Sequence, residues 1–373
     1  MLASCDAGGL IEISVVPEGS GGGTSGADAG TSDGSSAEDA DASTQDAGVS
    51  PVLVAITPTA AADEGGASPA DALAAELTTF GAGVRAAVVV LPWDAISAGE
   101  DALVAKKAAL YAEHGKRVVL NVAAVDRLVD HRPASLAGKA WSSPEVVAAM
   151  EVTLDTLFAS SGPEVRYITL GRDVDVYLAA HPDERSAFVS FTKQVFAHAR
   201  DHADAPADLS VGAAFSPSAP KEEPAFGNLL DLGDIVAFSY FPGITTFEPG
   251  GESGAALVVS QLADAAGSTP IVLQAVGLAS DEDAGGSEDQ QQTFLATLFG
   301  AIGANRKSFA LVNVVELFDA PASSCGAWAI AQGGEQDGKL AAYACSLGAF
   351  RADGTPKPAW QSLLTGAAAL SSP

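Results

Sequence analysis

The chain has 373 residues, a formal net charge of −28 and a 47% apolar fraction. That length accommodates one large domain or two ordinary ones, with apolar residues enough for a sizeable core. A phosphate-binding face needs clustered Lys and Arg, so 19 basic against 47 acidic residues exclude nucleic acid as a partner and disfavour anionic membrane surfaces. Acidity of this kind suits an exported protein kept soluble by its charge.

The chain opens Met1-Leu2-Ala3-Ser4-Cys5. Leu-Ala-Ser-Cys resembles a bacterial lipobox, whose cysteine becomes the lipidated N-terminus. Residues 1–17 are therefore expected to be a lipobox-like N-terminus with Cys5 as the lipid site. Residues 18–50 form a Gly/Ser/Asp/Ala tract with seven acids and no base. Such a tract cannot bury enough apolar surface to fold and acts as a disordered, acidic tether. Together they predict an exported protein, either extracellular or a bacterial outer-membrane or cell-surface lipoprotein, touching membrane only through the lipid. The first basic residue is Arg85 and no run of 18 apolar residues occurs, so a charged signal start and a transmembrane helix are both missing. The IEISVV stretch at 11–16 has no assigned role.

From residue 51 to about 370 the chain reads as one domain. Short Val/Ile/Leu-rich runs alternate with longer helical stretches. In order, the strand candidates are PVLVAITP (51–58), AAVVVLPW (86–93), RVVLNVAAVD (117–126), VRYITLG (165–171), LSVGAAF (209–215), DIVAFSY (234–240), PIVLQAVG (270–277) and FALVNVVEL (309–317). Helices are expected over 68–80, 142–160 and 287–302. The first two open on Ser followed closely by Pro, and the third on Ser287 with an acidic first turn. Eight buried strands alternating with helices predict an α/β fold, a single (β/α)8 TIM barrel. The competing doubly wound sheet lacks any G-x-G-x-x-G or phosphate-loop signature.

Function in such a barrel is read at the C-terminal strand tips. The second strand ends in Trp93-Asp94, where a Trp can stack on a sugar. The third ends in Asp126, a cap or loop acid. The fourth ends in the most polar tip, Gly171-Arg172-Asp173-Val174-Asp175. The sixth ends in Ser239-Tyr240-Phe241, and the eighth carries Asn313, Glu316 and Asp319. The five histidines lie away from these tips and read as surface residues. Cys325 and Cys345 can form a disulfide, consistent with an oxidising compartment. With no C-x-x-C and no Cys/His cluster, no metal site is expected, and no cofactor is called for.

YITLGRDVDVYL (167–178), DIVAFSYFPG (234–243), PIVLQAVGLAS (270–280) with Gln290-Gln291-Gln292-Thr293-Phe294, NVVELFD (313–319) and DGTPKPAW (353–360) together resemble the clan of barrel glycoside hydrolases with two catalytic glutamates, which includes endo-β-1,4-galactanases, β-glucanases and related bacterial lipoproteins. The resemblance implies that the fourth strand ends in Asn-Glu, the glutamate being the acid/base, and the seventh in a nucleophilic glutamate. Here Arg172-Asp173 stand at the first position and Ala275 at the second. Val314 stands where a stacking Trp is common, and Leu278 where a Tyr is.

A methyl group cannot attack a sugar carbon. Asp173 reaches about 1.5 Å less far than Glu, and an adjacent Arg172 is expected to lower its pKa, the wrong direction for a general acid. Retaining hydrolysis is therefore expected to be absent. Three readings stand. One is a catalytically degenerate barrel that binds an oligo- or polysaccharide through Trp93, Asp94, Arg172, Asp175, Tyr240 and Asn313, with Glu316 a weak catalytic candidate. Another is an active hydrolase with relocated carboxylates, Asp173 or Glu316 as acid and Asp94 or Asp175 as base. The last is a structural or protein-interaction barrel. Residue by residue, plainer roles compete: Asp173 and Asp175 pairing with Arg172, Glu316 anchoring a loop, Tyr240 packed at the rim and Asp319 capping a turn. On oligomeric state the sequence is silent.

Overall fold

The computed structural model describes residues 51–60, 68–221, 227–247 and 254–372. Cys5, the 11–16 stretch and the 18–50 tether lie outside the described residues.

Eight parallel strands close into a barrel. They are β1 (Leu53–Ile56), β2 (Ala86–Pro92), β3 (Arg117–Asp126), β4 (Val165–Arg172), β5 (Ser210–Phe215), β6 (Val236–Tyr240), β7 (Ile271–Val276) and β8 (Phe309–Val314). Each pairs with the next, and β8 returns to β1. All eight apolar runs of the sequence are strands, as expected for parallel strands buried on both faces. A two-residue strand, Val129–Asp130, folds back antiparallel on the end of β3.

Helices Pro69–Gly81, Asp101–Glu113, Pro144–Ser161, Arg185–Asp201, Ala255–Ala266 and Glu288–Ala304 form the outer layer, and Pro358–Ser371 completes it. The first begins in a capping box: the Asp71 amide donates to Ser68 Oγ at 3.3 Å and the Ser68 amide to Asp71 Oδ2 at 3.0 Å. At Glu288–Ala304 the Gln290 amide donates to Ser287 Oγ at 3.2 Å. Ser143, which occupies the same place before Pro144, makes no side-chain cap bond.

Side-chain alternation divides the core. Val54, Ile56, Val89, Leu91, Leu120 and Val122 pack outward with the helices. Ala55, Val88, Val119, Ala214, Ala237, Val272 and Leu311 form a separate cluster drawn from the strands and the turns between them, the filling of the barrel. Toward the C-terminal ends the filling turns polar. Asn121 Nδ2 donates to Thr169 Oγ1 at 2.8 Å and to Gln274 Oε1 at 3.1 Å, and Asn313 Nδ2 donates to Thr57 Oγ1 at 3.0 Å and the Gln274 carbonyl at 2.8 Å. This layer is the floor of the barrel mouth.

Between β8 and the last helix the chain makes two short helices, Ala322–Ala331 and Lys339–Cys345, joined by the Cys325–Cys345 disulfide. This pair closes the mouth. Gln332 Nε2 donates to the Asp126 carbonyl at 3.3 Å, and Tyr343 Oη donates to the Pro242 carbonyl at 2.8 Å. Its base is fixed by buried Lys357, whose Nζ donates to Asp319 Oδ1 at 2.6 Å and Ser280 Oγ at 2.8 Å. Gln291 Nε2, from the Gln-Gln-Gln run, donates to the carbonyls of Leu278 and Leu347 at 3.0 Å each.

Candidate functional site

The mouth gathers charge from the ends of β3, β4 and β8. Gly171 precedes the polar tip with φ +73°, and a Cβ there would stand 2.5 Å from Val174 Cγ2, so the sharp exit from β4 requires glycine. Asp173 follows in the left-handed region at φ 46°, which costs a non-glycine residue about 1–2 kcal/mol. Arg172 Nη1 lies 3.3 Å from Asp126 Oδ2, and Arg127 Nη1 donates to Asp173 Oδ2 at 2.8 Å. Glu316 is 1% exposed, and its backbone carbonyl accepts from the Ala349 amide at 2.9 Å.

The electrostatics differ from the sequence expectation. Arg172 pairs with Asp126 rather than with Asp173. Burial, reinforced by Asp175, outweighs the pull of Arg127 and Arg172 and raises the Asp173 carboxyl to about 6. Burial likewise pushes Glu316 up to about 8, against the Arg172 guanidinium. Asp126 is opposed by burial too, but the adjacent Arg172 guanidinium draws its carboxyl below the usual carboxylate range.

Several expected binding residues stand elsewhere. Trp93 is fully buried and faces the helix layer: its Nε1 donates to Thr153 Oγ1 at 2.9 Å, and its ring lies 6.4 Å from Trp141 and 6.1 Å from Phe191. It shares the outward parity of Val89 and Leu91, so it is core and not a sugar platform. Tyr240 follows Val236 and Phe238 outward and packs on Phe294 at 5.7 Å. Asp175 is turned to the end of β5, where it accepts from the Ser216 amide at 2.7 Å and Ser216 Oγ at 2.5 Å. Asp94 is exposed at the rim, with Oδ1 3.1 Å from His131 Nδ1. His131 is itself buried, not a surface residue. Asn313 lies in the polar floor and Asp319 holds the turn at Gly348, whose amide donates to its Oδ1 at 3.0 Å.

Ala275, 5% exposed, stands beside Ser239 in the β6–β7 register, just past an irregularity that turns Gln274 inward. It carries no group that can react. Asp126, Arg127, Arg172, Asp173 and Ser239 line one side of the space under the cap, and Trp328, Tyr343, Ala344 and Leu347 the other. The space measures about 10 Å³, room for one water at most against the several hundred Å³ of a ligand pocket. The sequence did not announce this closure, although the apolar segments around the two cysteines, AWAI and AAYAC, mark a stretch that must bury something.

No family model matches the sequence, and no curated protein does. Among solved structures, a GH5_18 protein from Streptomyces cattleya in complex with GlcNAc is 16% identical with a TM-score of 0.67, over 87% of this chain and 82% of that one. GH5_18 from Bifidobacterium longum subsp. longum is 18% identical with a TM-score of 0.63, over 86% and 79%. The exo-β-1,4-mannosidase Op5Man5 from Opitutaceae bacterium strain TAV5 is 12% identical with a TM-score of 0.65, over 86% and 60%. This chain has their barrel fold. At such identity the likeness extends to the fold alone.

Proposed function

We propose that this protein is an exported, catalytically degenerate glycoside-hydrolase-like barrel that holds an oligo- or polysaccharide without cleaving it, tethered through Cys5 and the 18–50 segment. The observation that carries the loss of hydrolysis is Ala275 at the tip of β7. A retaining glycosidase needs two carboxyl groups about 5–5.5 Å apart, one of them a nucleophile, and this tip offers a methyl group. The raised pKa values of Asp173 and Glu316 suit a general acid, but both carboxyls are buried beneath the cap.

The glycan assignment is supported by the barrel fold shared with the GlcNAc complex and by the chemistry of the mouth. Among the described residues, Asp173 Oδ1, Ser239 Oγ, Glu316 Oε1 and Trp328 Nε1 find no hydrogen-bond partner. Sugar hydroxyls, which donate and accept, complement such a set. A glycan reaches these atoms only when the disulfide-closed helix pair swings away. A second reading, a structural barrel, is favoured by that same cap, which leaves no ligand-sized space.

A polysaccharide panel decides between them, with binding and released reducing sugar scored on wild type and Ala275→Glu, each with and without reductant. Binding without cleavage supports the proposal, and activity gained by Ala275→Glu fixes the register of the lost nucleophile. Cleavage by wild type overturns it in favour of relocated carboxylates. Silence under both redox conditions leaves the structural barrel.

A further inference from the structure

At the opposite end of the barrel from the mouth, the outer helices Pro144–Ser161 and Arg185–Asp201 bring three metal-ligating side chains together. Asp155 Oδ1 lies 2.6 Å from His198 Nε2 and 3.2 Å from His202 Nε2. One ligand atom from each residue lies within 4.8 Å of the others. We propose that Asp155, His198 and His202 bind a divalent transition-metal cation of the zinc class.

The sequence spacing places the ligands. His198 stands in the last turn of its helix and His202, four residues on, is the residue that ends it, which brings both rings to the same side. Asp155 comes from the neighbouring helix, nearly two turns before its end. The His202 ring is held against Phe158, with centroids 4.9 Å apart and planes inclined by 26°. All three residues are only partly buried, so a cation has access from solvent.

Zinc binds imidazole nitrogen and carboxylate oxygen at about 2.0–2.2 Å, which puts tetrahedral ligand atoms roughly 3.3 Å apart. The Asp155–His202 separation of 3.2 Å matches this spacing and the Asp155–His198 separation of 2.6 Å is shorter than it. Two imidazoles and one carboxylate leave a fourth position for water. Imidazole selects Zn²⁺, Ni²⁺, Co²⁺ or Cu²⁺ over Mg²⁺ and Ca²⁺, which require oxygen shells.

His202 Nδ1 accepts from the Asp204 amide at 3.2 Å, and a metal on Nε2 requires the ring proton on Nδ1, so loading gives up that bond.

The competing account is that Asp155 merely accepts hydrogen bonds from two histidines. The test titrates ZnCl₂ into full-length, tag-free, chelator-treated protein by calorimetry, for wild type, His198→Ala, His202→Ala, Asp155→Asn and a control at an exposed histidine, His114→Ala. One zinc per chain is expected, weakened about tenfold or more by each of the first three substitutions and unchanged by the control. Co²⁺ loading of wild type should give the visible absorption of a tetrahedral nitrogen/oxygen centre, a readout that needs no variant to fold. Failure of wild type to bind stoichiometric zinc, or undiminished binding by His198→Ala and His202→Ala, would overturn the site.

Discussion

Glu316 shows how burial can make a side chain responsive to pH. Its carboxyl is raised from 4.5 to about 8, chiefly by burial. Between those values the folded protein keeps a proton that the unfolded chain has lost, so stability is full below about pH 4.5 and falls as pH rises through 8. Asp173, raised from 3.8 to about 6, acts in the same direction over a lower window. Asp126 acts oppositely: its depressed pKa supplies stability above its ordinary value that is lost as pH falls. Glu316→Gln removes the largest alkaline penalty. Urea unfolding at pH 5 and pH 8.5 should show wild type weaker at the higher pH by a few kcal/mol, since each tenfold difference in proton affinity between folded and unfolded chain is worth about 1.4 kcal/mol. The variant should keep only the smaller fall, about 1 kcal/mol, that Asp173 contributes between pH 5 and its raised value of about 6. An equal slope in both proteins would refute the buried carboxylic acid. Two other residues show what strand parity already disclosed. In AAVVVLPW, Trp93 shares the parity of Val89 and Leu91, and in DIVAFSY, Tyr240 shares that of Val236 and Phe238. Strict alternation, applied before chemistry, would have moved both aromatics from the mouth to the core.

At the scale of elements, caps and strands were readable because their causes are local. Ser68 and Ser287 sit beside the amides they cap, and each strand is a contiguous apolar run. The cap over the mouth was not readable. Its position depends on Gln332 meeting the β3 end, Tyr343 meeting the loop after β6, and Lys357 meeting Asp319, contacts between segments far apart in sequence. The disulfide closes a 20-residue separation and should contribute about 3 kcal/mol. Reduction, or Cys325→Ser with Cys345→Ser, is expected to lower Tm by several degrees. It should also speed amide exchange across 322–347 before the barrel strands respond. An unchanged Tm and exchange pattern under reductant would remove the disulfide from the account of how the mouth stays shut.

The whole molecule carries −28 charges over 373 residues, and that excess of like charge opposes compaction. Raising NaCl from about 20 mM to about 300 mM shortens the Debye length severalfold. Tm should therefore rise by a few degrees, and a Tm that falls with salt would mean that the ion pairs, not the excess charge, dominate. The sequence by itself determined the barrel, because eight apolar runs spaced by helices have few other ways to bury both strand faces. It determined that the tip of β7 carries no reactive group at position 275, because no arrangement of neighbours gives Ala275 a carboxyl group. It also supplied the two cysteines. Only the tertiary structure decided which charges pair, since Arg172 meets Asp126 while Arg127 takes Asp173. The fold likewise decided that burial, not the neighbouring cation, governs the Asp173 and Glu316 pKa values, and that the mouth is closed. It brought Asp155 to the two histidines of a neighbouring helix. Each of these depends on the dielectric and the distance between residues remote in the chain, and both exist only once the barrel has closed.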